Sequence, residues 1–122
     1  MSDRIGEAEM VVMEVLWDES PLTAAEVAVR APAERRWSLT TVKTMLARLL
    51  AKGVLAHEEQ GRRFLYRPAV SRDDYRAQES ERFIDRLFGG RVTPLVAQLA
   101  QRERLSAEDI AEIEALLKAL KP

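Results

Sequence analysis

Three short helices, a two-stranded hairpin and three further helices follow one another in the 122-residue sequence. That order predicts a mainly α fold, a winged helix-turn-helix (three helices plus a two-stranded β wing) followed by a three-helix C-terminal dimerisation region. Two observations carry it. Residues 37–53 read as one helix whose apolar positions Val42, Met45, Leu46, Leu49 and Leu50 recur at i, i+3, i+4, i+7 and i+8, a core-facing stripe. Beyond it, Gln60-Gly61-Arg62 separates two strand-like runs, which is a hairpin signal.

The first helix covers 7–18, with Val11, Val12, Val15 and Leu16 apolar and Glu7, Glu9 and Glu14 polar. Gly6 takes the N-cap place, with Glu9 three residues on. Ser20-Pro21 breaks this helix. Thr23 caps the second, Glu26 completes a capping box, and the helix stops near Arg30, before Pro32. Ser38 caps the third helix, and Gly53 stands at its C′ position. Residues 55–60 and 63–67 form the hairpin, with Phe64 and Tyr66 on one face and Arg63, Leu65 and Arg67 on the other. Ser71 opens a helix that runs through Phe83, Ile84, Leu87 and Phe88 to a Gly89-Gly90 stop. Thr93-Pro94 starts another as N-cap and N1, and Ser106 starts the last. These elements divide the chain into a winged domain, 1–70, and a helical domain, 71–122.

Composition narrows the function classes. There is no cysteine, so disulfides and thiolate metal sites are excluded. The single histidine, His57, has no evident partner for triad or metal chemistry, so the chain reads as a non-enzyme without catalytic residues, metal or cofactor. The N-terminal residues lack the apolar run of a signal peptide, and no stretch approaches the ~20 apolar residues that span a bilayer. The expected location is cytoplasmic, without membrane insertion.

The net charge of −1 hides an uneven distribution. Residues 1–29 hold one Lys/Arg against seven Asp/Glu, a net of −6. Residues 30–67 hold nine (Arg30, Arg35, Arg36, Lys43, Arg48, Lys52, Arg62, Arg63 and Arg67) against three Glu, a net of +6. For phosphate binding the local block outweighs the sum, because screening limits exposed charges to about a Debye length.

The outer face of the third helix carries Thr40, Thr41, Lys43, Thr44, Ala47 and Arg48, with no carboxylate. In a winged helix this helix enters the major groove, roughly 12 Å wide, and the wing lies along the backbone. Threonine methyls meet thymine methyls, while Lys43 and Arg48 reach guanine or phosphate. Arg62 and Arg63 stand at the wing tip, where phosphates lie. The candidate DNA-binding residues are therefore Thr40, Thr41, Lys43, Thr44, Arg48, Arg62 and Arg63. Blander readings stay open: first-turn threonines bonded to local backbone, Arg48 paired with a carboxylate such as Glu58, and wing arginines as plain turn residues. Trp37 reads as packing at the helix entry.

The last three helices hold Phe83, Ile84, Leu87, Phe88, Leu95, Leu99, Ile113 and Leu117 within about forty-five residues, too short a segment to bury much surface alone. Pairing with a second copy satisfies them, and a two-fold dimer matches a palindromic site. The alternatives are a tail folded back on its own winged domain, or a winged-helix protein-interaction adaptor without DNA binding.

Further blocks are Gly6-Glu7-Ala8-Glu9, Leu22-Thr23-Ala24-Ala25-Glu26-Val27, Trp37-Ser38, Thr41-Val42-Lys43-Thr44-Met45-Leu46 to Arg48-Leu49, Lys52-Gly53, Tyr66-Arg67-Pro68, Phe88-Gly89-Gly90 and Leu105-Ser106. Over nearly the whole chain these resemble the penicillinase-repressor family (BlaI/MecI), which includes the CopY-type copper repressors. The resemblance implies a dimeric repressor on a palindromic double-stranded DNA operator, dimerised through its C-terminal helices. It also implies, for the β-lactam branch, a membrane sensor protease that cuts an Asn-Phe pair. Gln98-Leu99 stands there instead, a departure that puts cleavage at this bond in doubt. The absence of cysteine excludes copper sensing through Cys-x-Cys motifs.

Overall fold

The computed structural model describes residues 4–121. Six helices and one two-stranded sheet follow in the expected order: α1 (Glu7–Asp18), α2 (Ala24–Arg30), a 3-10 turn (Ala33–Arg35), α3 (Leu39–Ala51), β1 (Leu55–Gln60), β2 (Arg63–Pro68), α4 (Arg72–Phe88), α5 (Val92–Gln101) and α6 (Ala107–Leu120). They form two compact units, one up to Tyr75 and one from Arg76.

The first unit is built around α3. Val42, Leu46 and Leu49 are fully buried and Met45 nearly so, and they pack with Val12, Met13 and Leu16 of α1, Val27 of α2 and Leu55 of β1. Leu50, at the edge of the stripe, is half-buried. Burying such a side chain contributes about 1.5–3 kcal/mol. The buried face of α1 differs from the expected one. It runs through Glu9, Val12, Met13 and Leu16, while Val11 and Val15 are only half-buried.

The caps explain where the helices begin. Thr23 Oγ1 accepts from the Glu26 N–H at 3.2 Å, and Glu26 accepts from the Thr23 N–H at 2.8 Å. Ser38, Ser71 and Ser106 accept from the N–H three residues on. Gly6 has no side chain to offer, so only the reverse bond forms, Gly6 N–H to Glu9 Oε1 at 3.0 Å. Gly53 ends α3 at φ +78°, the left-handed conformation that favours glycine.

β1 and β2 pair antiparallel from Leu55 opposite Pro68 to Gln60 opposite Arg63, leaving a two-residue Gly61-Arg62 loop with Gly61 at φ +67°. The base of the wing is held by a bridge that the sequence pattern does not suggest. Leu22 N–H donates to the Tyr66 carbonyl at 3.1 Å and Tyr66 N–H to the Leu22 carbonyl at 2.8 Å. The first turn of α4 packs on α1. Arg72 reaches Glu14 and Asp18 at 2.7 Å, its guanidinium lies 5.6 Å from the Trp17 ring centre, and Tyr75 is buried beside Trp17. Trp17 Nε1–H in turn donates to the Val70 carbonyl at 2.9 Å.

In the second unit, Gly89 and Gly90 at φ +59° and +85° end α4 as expected. The start of α5 differs. Arg91 is its N-cap and Val92 its first residue, so Pro94 is the third helical residue rather than the first. Proline is accommodated there because the first four helical N–H groups have no intrahelical acceptor. From Arg76 to Lys121 no residue is buried. Phe83, Leu87 and Leu117 are exposed, whereas Ile84, Phe88, Leu95, Leu99 and Ile113 are half-buried.

Candidate nucleic-acid interface

With about 100° between successive helical residues, the outward side chains of α3 spread from Lys43 at one edge, across Ala47, Thr40 and Thr44, to Arg48 and Thr41 at the other. All six are exposed, and no carboxylate interrupts them. The threonine hydroxyls are ordered locally. Ser38 Oγ donates to Thr41 Oγ1 at 3.0 Å, and Thr44 Oγ1 donates to the Thr40 carbonyl at 3.0 Å. Each of these threonine oxygens keeps further acceptor capacity.

The two edges of this face look onto different surroundings. Lys43 shares a concavity of about 350 Å³ with Arg62, Arg63 and Phe64 of the wing, Leu39 at the start of α3, and the first turn of α2. Three of the expected DNA-binding cations therefore meet in one groove with an apolar floor. Arg48 does not join them. It lines a separate concavity of about 370 Å³ with Arg4, Glu7, Glu9 and Lys52, between α3 and the start of α1.

Ion pairing divides the basic block in two. Arg30 holds Glu19 with two nitrogens at 2.8 and 3.1 Å, Lys52 holds Glu9 at 2.6 Å, Arg35 lies 3.6 Å from Glu7, and Arg67 lies 3.8 Å from Glu58. Glu58 thus partners Arg67, not Arg48. Among the described residues Arg36, Lys43, Arg48, Arg62 and Arg63 form no ion pair. The acidic N-terminal segment supplies Glu7, Glu9 and Glu19 to Arg35, Lys52 and Arg30, and leaves Lys43, Arg48, Arg62 and Arg63 without an ion pair among the described residues.

Glu9 is the acidic residue most embedded in the unit, with a side chain only 8% exposed. Burial disfavours its charge, but the Lys52 hydrogen bond, the Gly6 N–H and the charges of Lys52 and Arg48 outweigh burial and hold its carboxyl below the ordinary value. On the wing, His57 stacks on Tyr66 at 5.6 Å and packs on Phe64 at 4.6 Å, so its ring serves as an aromatic partner within the hairpin. Burial raises the Tyr66 hydroxyl pKa. Trp37 is half-buried against the core, with the Arg35 guanidinium 5.5 Å from its ring centre. Among the described residues no group of three or more His, Cys, Asp or Glu side chains is placed to hold a metal. No helix there is long and apolar enough to cross a membrane.

Sequence reasoning did not single out Leu39 or the Glu9–Lys52 pair. At about 100° per residue Leu39 falls on the apolar stripe between Leu46 and Leu50, yet it is 42% exposed at the start of the helix. Glu9 lies at i, i+3, i+4 and i+7 with Val12, Met13 and Leu16, which puts it on the buried stripe.

A helix presenting a basic, carboxylate-free face beside a bridged two-stranded wing defines a winged helix-turn-helix protein. The model of one family, described as penicillinase repressor, matches residues 5–119. The chain is 35% identical over 115 residues to the penicillinase repressor of Bacillus licheniformis, covering 94% of this chain and 90% of that one. It therefore belongs to the penicillinase-repressor family. Among solved structures, the DNA-binding domain of the repressor BlaI in solution is 40% identical with a TM-score of 0.54, covering 60% of this chain and 89% of that one. The monomeric form of B. licheniformis BlaI in complex with the blaP half-operator is also 40% identical, with a TM-score of 0.50 over 59% of this chain and 88% of that one.

Proposed function

We propose that this chain is a homodimeric transcriptional repressor and not an enzyme. It binds a palindromic double-stranded operator with α3 in the major groove and the wing along the backbone. The observation that carries the reading is the pairing pattern: Lys43, Arg48, Arg62 and Arg63 form no ion pair among the described residues, while neighbouring cations of the same block are matched to carboxylates. Cations outside any ion pair around a helix that fits the groove supply both phosphate attraction and base contact. A relative solved with its half-operator, 40% identical over 59% of this chain, supports the same reading.

Thr40, Thr41, Thr44 and Lys43 face base edges, Arg48 lies towards the backbone at the other edge, and Arg62 and Arg63 follow phosphates from the wing. The second unit supplies the two-fold partner. Leu117 is 53% exposed and Leu120 80%, and Phe83 and Leu87 are exposed as well. A second copy covering Phe83, Ile84, Leu87, Phe88, Leu95, Leu99, Ile113 and Leu117 removes apolar surface that the single chain leaves in water.

The test is selection of duplexes from a randomised pool, followed by mobility shift at low salt and sedimentation of the free protein. Enrichment of an inverted repeat and sedimentation as a dimer are expected. Unchanged mobility of every duplex at low salt overturns the DNA reading. Sedimentation as a monomer at micromolar concentration overturns the dimer.

A further inference from the structure

Lys52 and Glu9 lie where α3 ends and α1 begins. Glu9 Oε1 accepts from Lys52 Nζ at 2.6 Å and from the Gly6 N–H at 3.0 Å, and Lys52 Nζ also donates to the Arg4 carbonyl at 2.8 Å. Arg48 stands one turn before Lys52 on the same helix and lines the same concavity. A carboxylate this buried needs a cationic partner, because an unpaired charge out of water is strongly unfavourable. Two cations one turn apart thus compete for one carboxylate, and in this structure Lys52 holds it. Among the described residues Arg48 forms no ion pair.

We propose that Lys52 is a positioning residue: by occupying Glu9 it keeps the Arg48 guanidinium free for a DNA phosphate. The inference rests on the DNA-binding reading above. Three features favour Lys52 as the occupant. Its compact ammonium has three donors, used here on Glu9 and the Arg4 carbonyl. It caps the C-terminus of α3, where positive charge is favoured. Its side chain is mostly covered, whereas Arg48 lies exposed at the rim. Without Lys52, Glu9 stays on the buried stripe of α1 and takes Arg48, which lines the same concavity and is the other cation whose charge acts on it. Arg48 then turns inward and its phosphate contact is lost, although Arg48 itself is unchanged.

The salt dependence of binding to a duplex enriched by the wild-type chain from a randomised pool separates this from a purely structural role. Fold stability does not set that slope, whereas each phosphate contact contributes about 0.9 to it. Lys52→Met is expected to lower the slope by about 0.9 per protomer, as much as Arg48→Ala does. The double variant Arg48→Ala/Lys52→Met is expected to lose no more than Arg48→Ala alone. Glu9→Gln added to Lys52→Met removes the captor and restores the full slope. Should Lys52→Met fail to fold by circular dichroism, Lys52→Gln keeps a donor for the Arg4 carbonyl and carries the same prediction. An unchanged slope in a folded Lys52 variant overturns the inference, as does a double variant that loses two contacts, which makes Lys52 itself a phosphate ligand. Failure of the wild-type chain to bind the pool removes the DNA reading beneath it. The two failures are therefore distinguishable.

Discussion

Replacing Lys43, Arg48, Arg62, Arg63 and Arg30 one at a time by alanine should divide them into two groups that match their ion pairing. Lys43, Arg48, Arg62 and Arg63 form no ion pair among the described residues, so each is available to displace a counterion from DNA. Four contacts give a log–log salt slope near −3.6 for one protomer and about −7.2 for two. Raising salt fourfold then weakens binding about 150-fold for one protomer and about 2 × 10⁴-fold for two. Each alanine variant should flatten the slope by ~0.9 per protomer. Arg30 is the control: it belongs to the same block, but its guanidinium donates to Glu19 at 2.8 and 3.1 Å and to the Glu26 carbonyl at 3.2 Å. Arg30→Ala should leave the slope unchanged. Fluorescence anisotropy of an enriched duplex over a salt series reads all five variants. If Arg30→Ala flattens the slope as much as Lys43→Ala, internal pairing does not decide which cations meet DNA and the reasoning fails.

Leu46→Ala empties a fully buried site where α3 meets α1 and should cost about 2–5 kcal/mol in chemical denaturation, without altering the salt slope of the folded fraction. Gly53→Ala meets no atom within 4 Å, so its cost comes from the backbone at φ +78° alone, about 1–2 kcal/mol, read as a lowered Tm. Glu9 has a lowered carboxyl pKa in the folded chain, so the unfolded chain binds its proton first as pH falls below the ordinary value of 4.5. Its stabilisation is full above that value and is lost as pH drops through the folded one. Glu9→Gln should flatten the acid limb of stability against pH, and an unaltered limb counts against the ionised pair. Leu87→Ser with Leu117→Ser should abolish the proposed dimer in sedimentation while leaving the winged unit folded, since both side chains are exposed in the second unit.

Much of the fold was legible because its signals are local. Thr23 with Glu26, and Ser106 with Asp109, announce helix starts within four residues, and the caps form as the spacing predicts. The stripe of α3 was equally plain, since one helix face repeats regardless of what covers it. The Leu22–Tyr66 bridge was not legible, because two residues forty-four positions apart share no periodicity. Val92 at the start of α5 was hidden by Thr93-Pro94, a strong cap signal that proline also satisfies two positions later. For the candidate site, the cations could be named from their place on the helix and in the turn. Which of them are matched to carboxylates could not, because Glu19 and Arg30, like Glu9 and Lys52, meet only once the helices pack.

The Leu22–Tyr66 bridge makes the wing a lever with a fixed fulcrum. Two backbone bonds clamp the hairpin at Tyr66, four residues short of Arg62 at the tip, where Gly61 and Arg62 stand exposed. The clamp fixes the base of the hairpin, and on the proposed reading the tip beyond it carries the two arginines that meet a phosphate strand. Amide exchange should record that mechanics as a gradient, with the Leu22 and Tyr66 amides slow and those of Gly61 and Arg62 fast. The placing of the wing is thus a property of the fold, set by a bridge between segments forty-four positions apart.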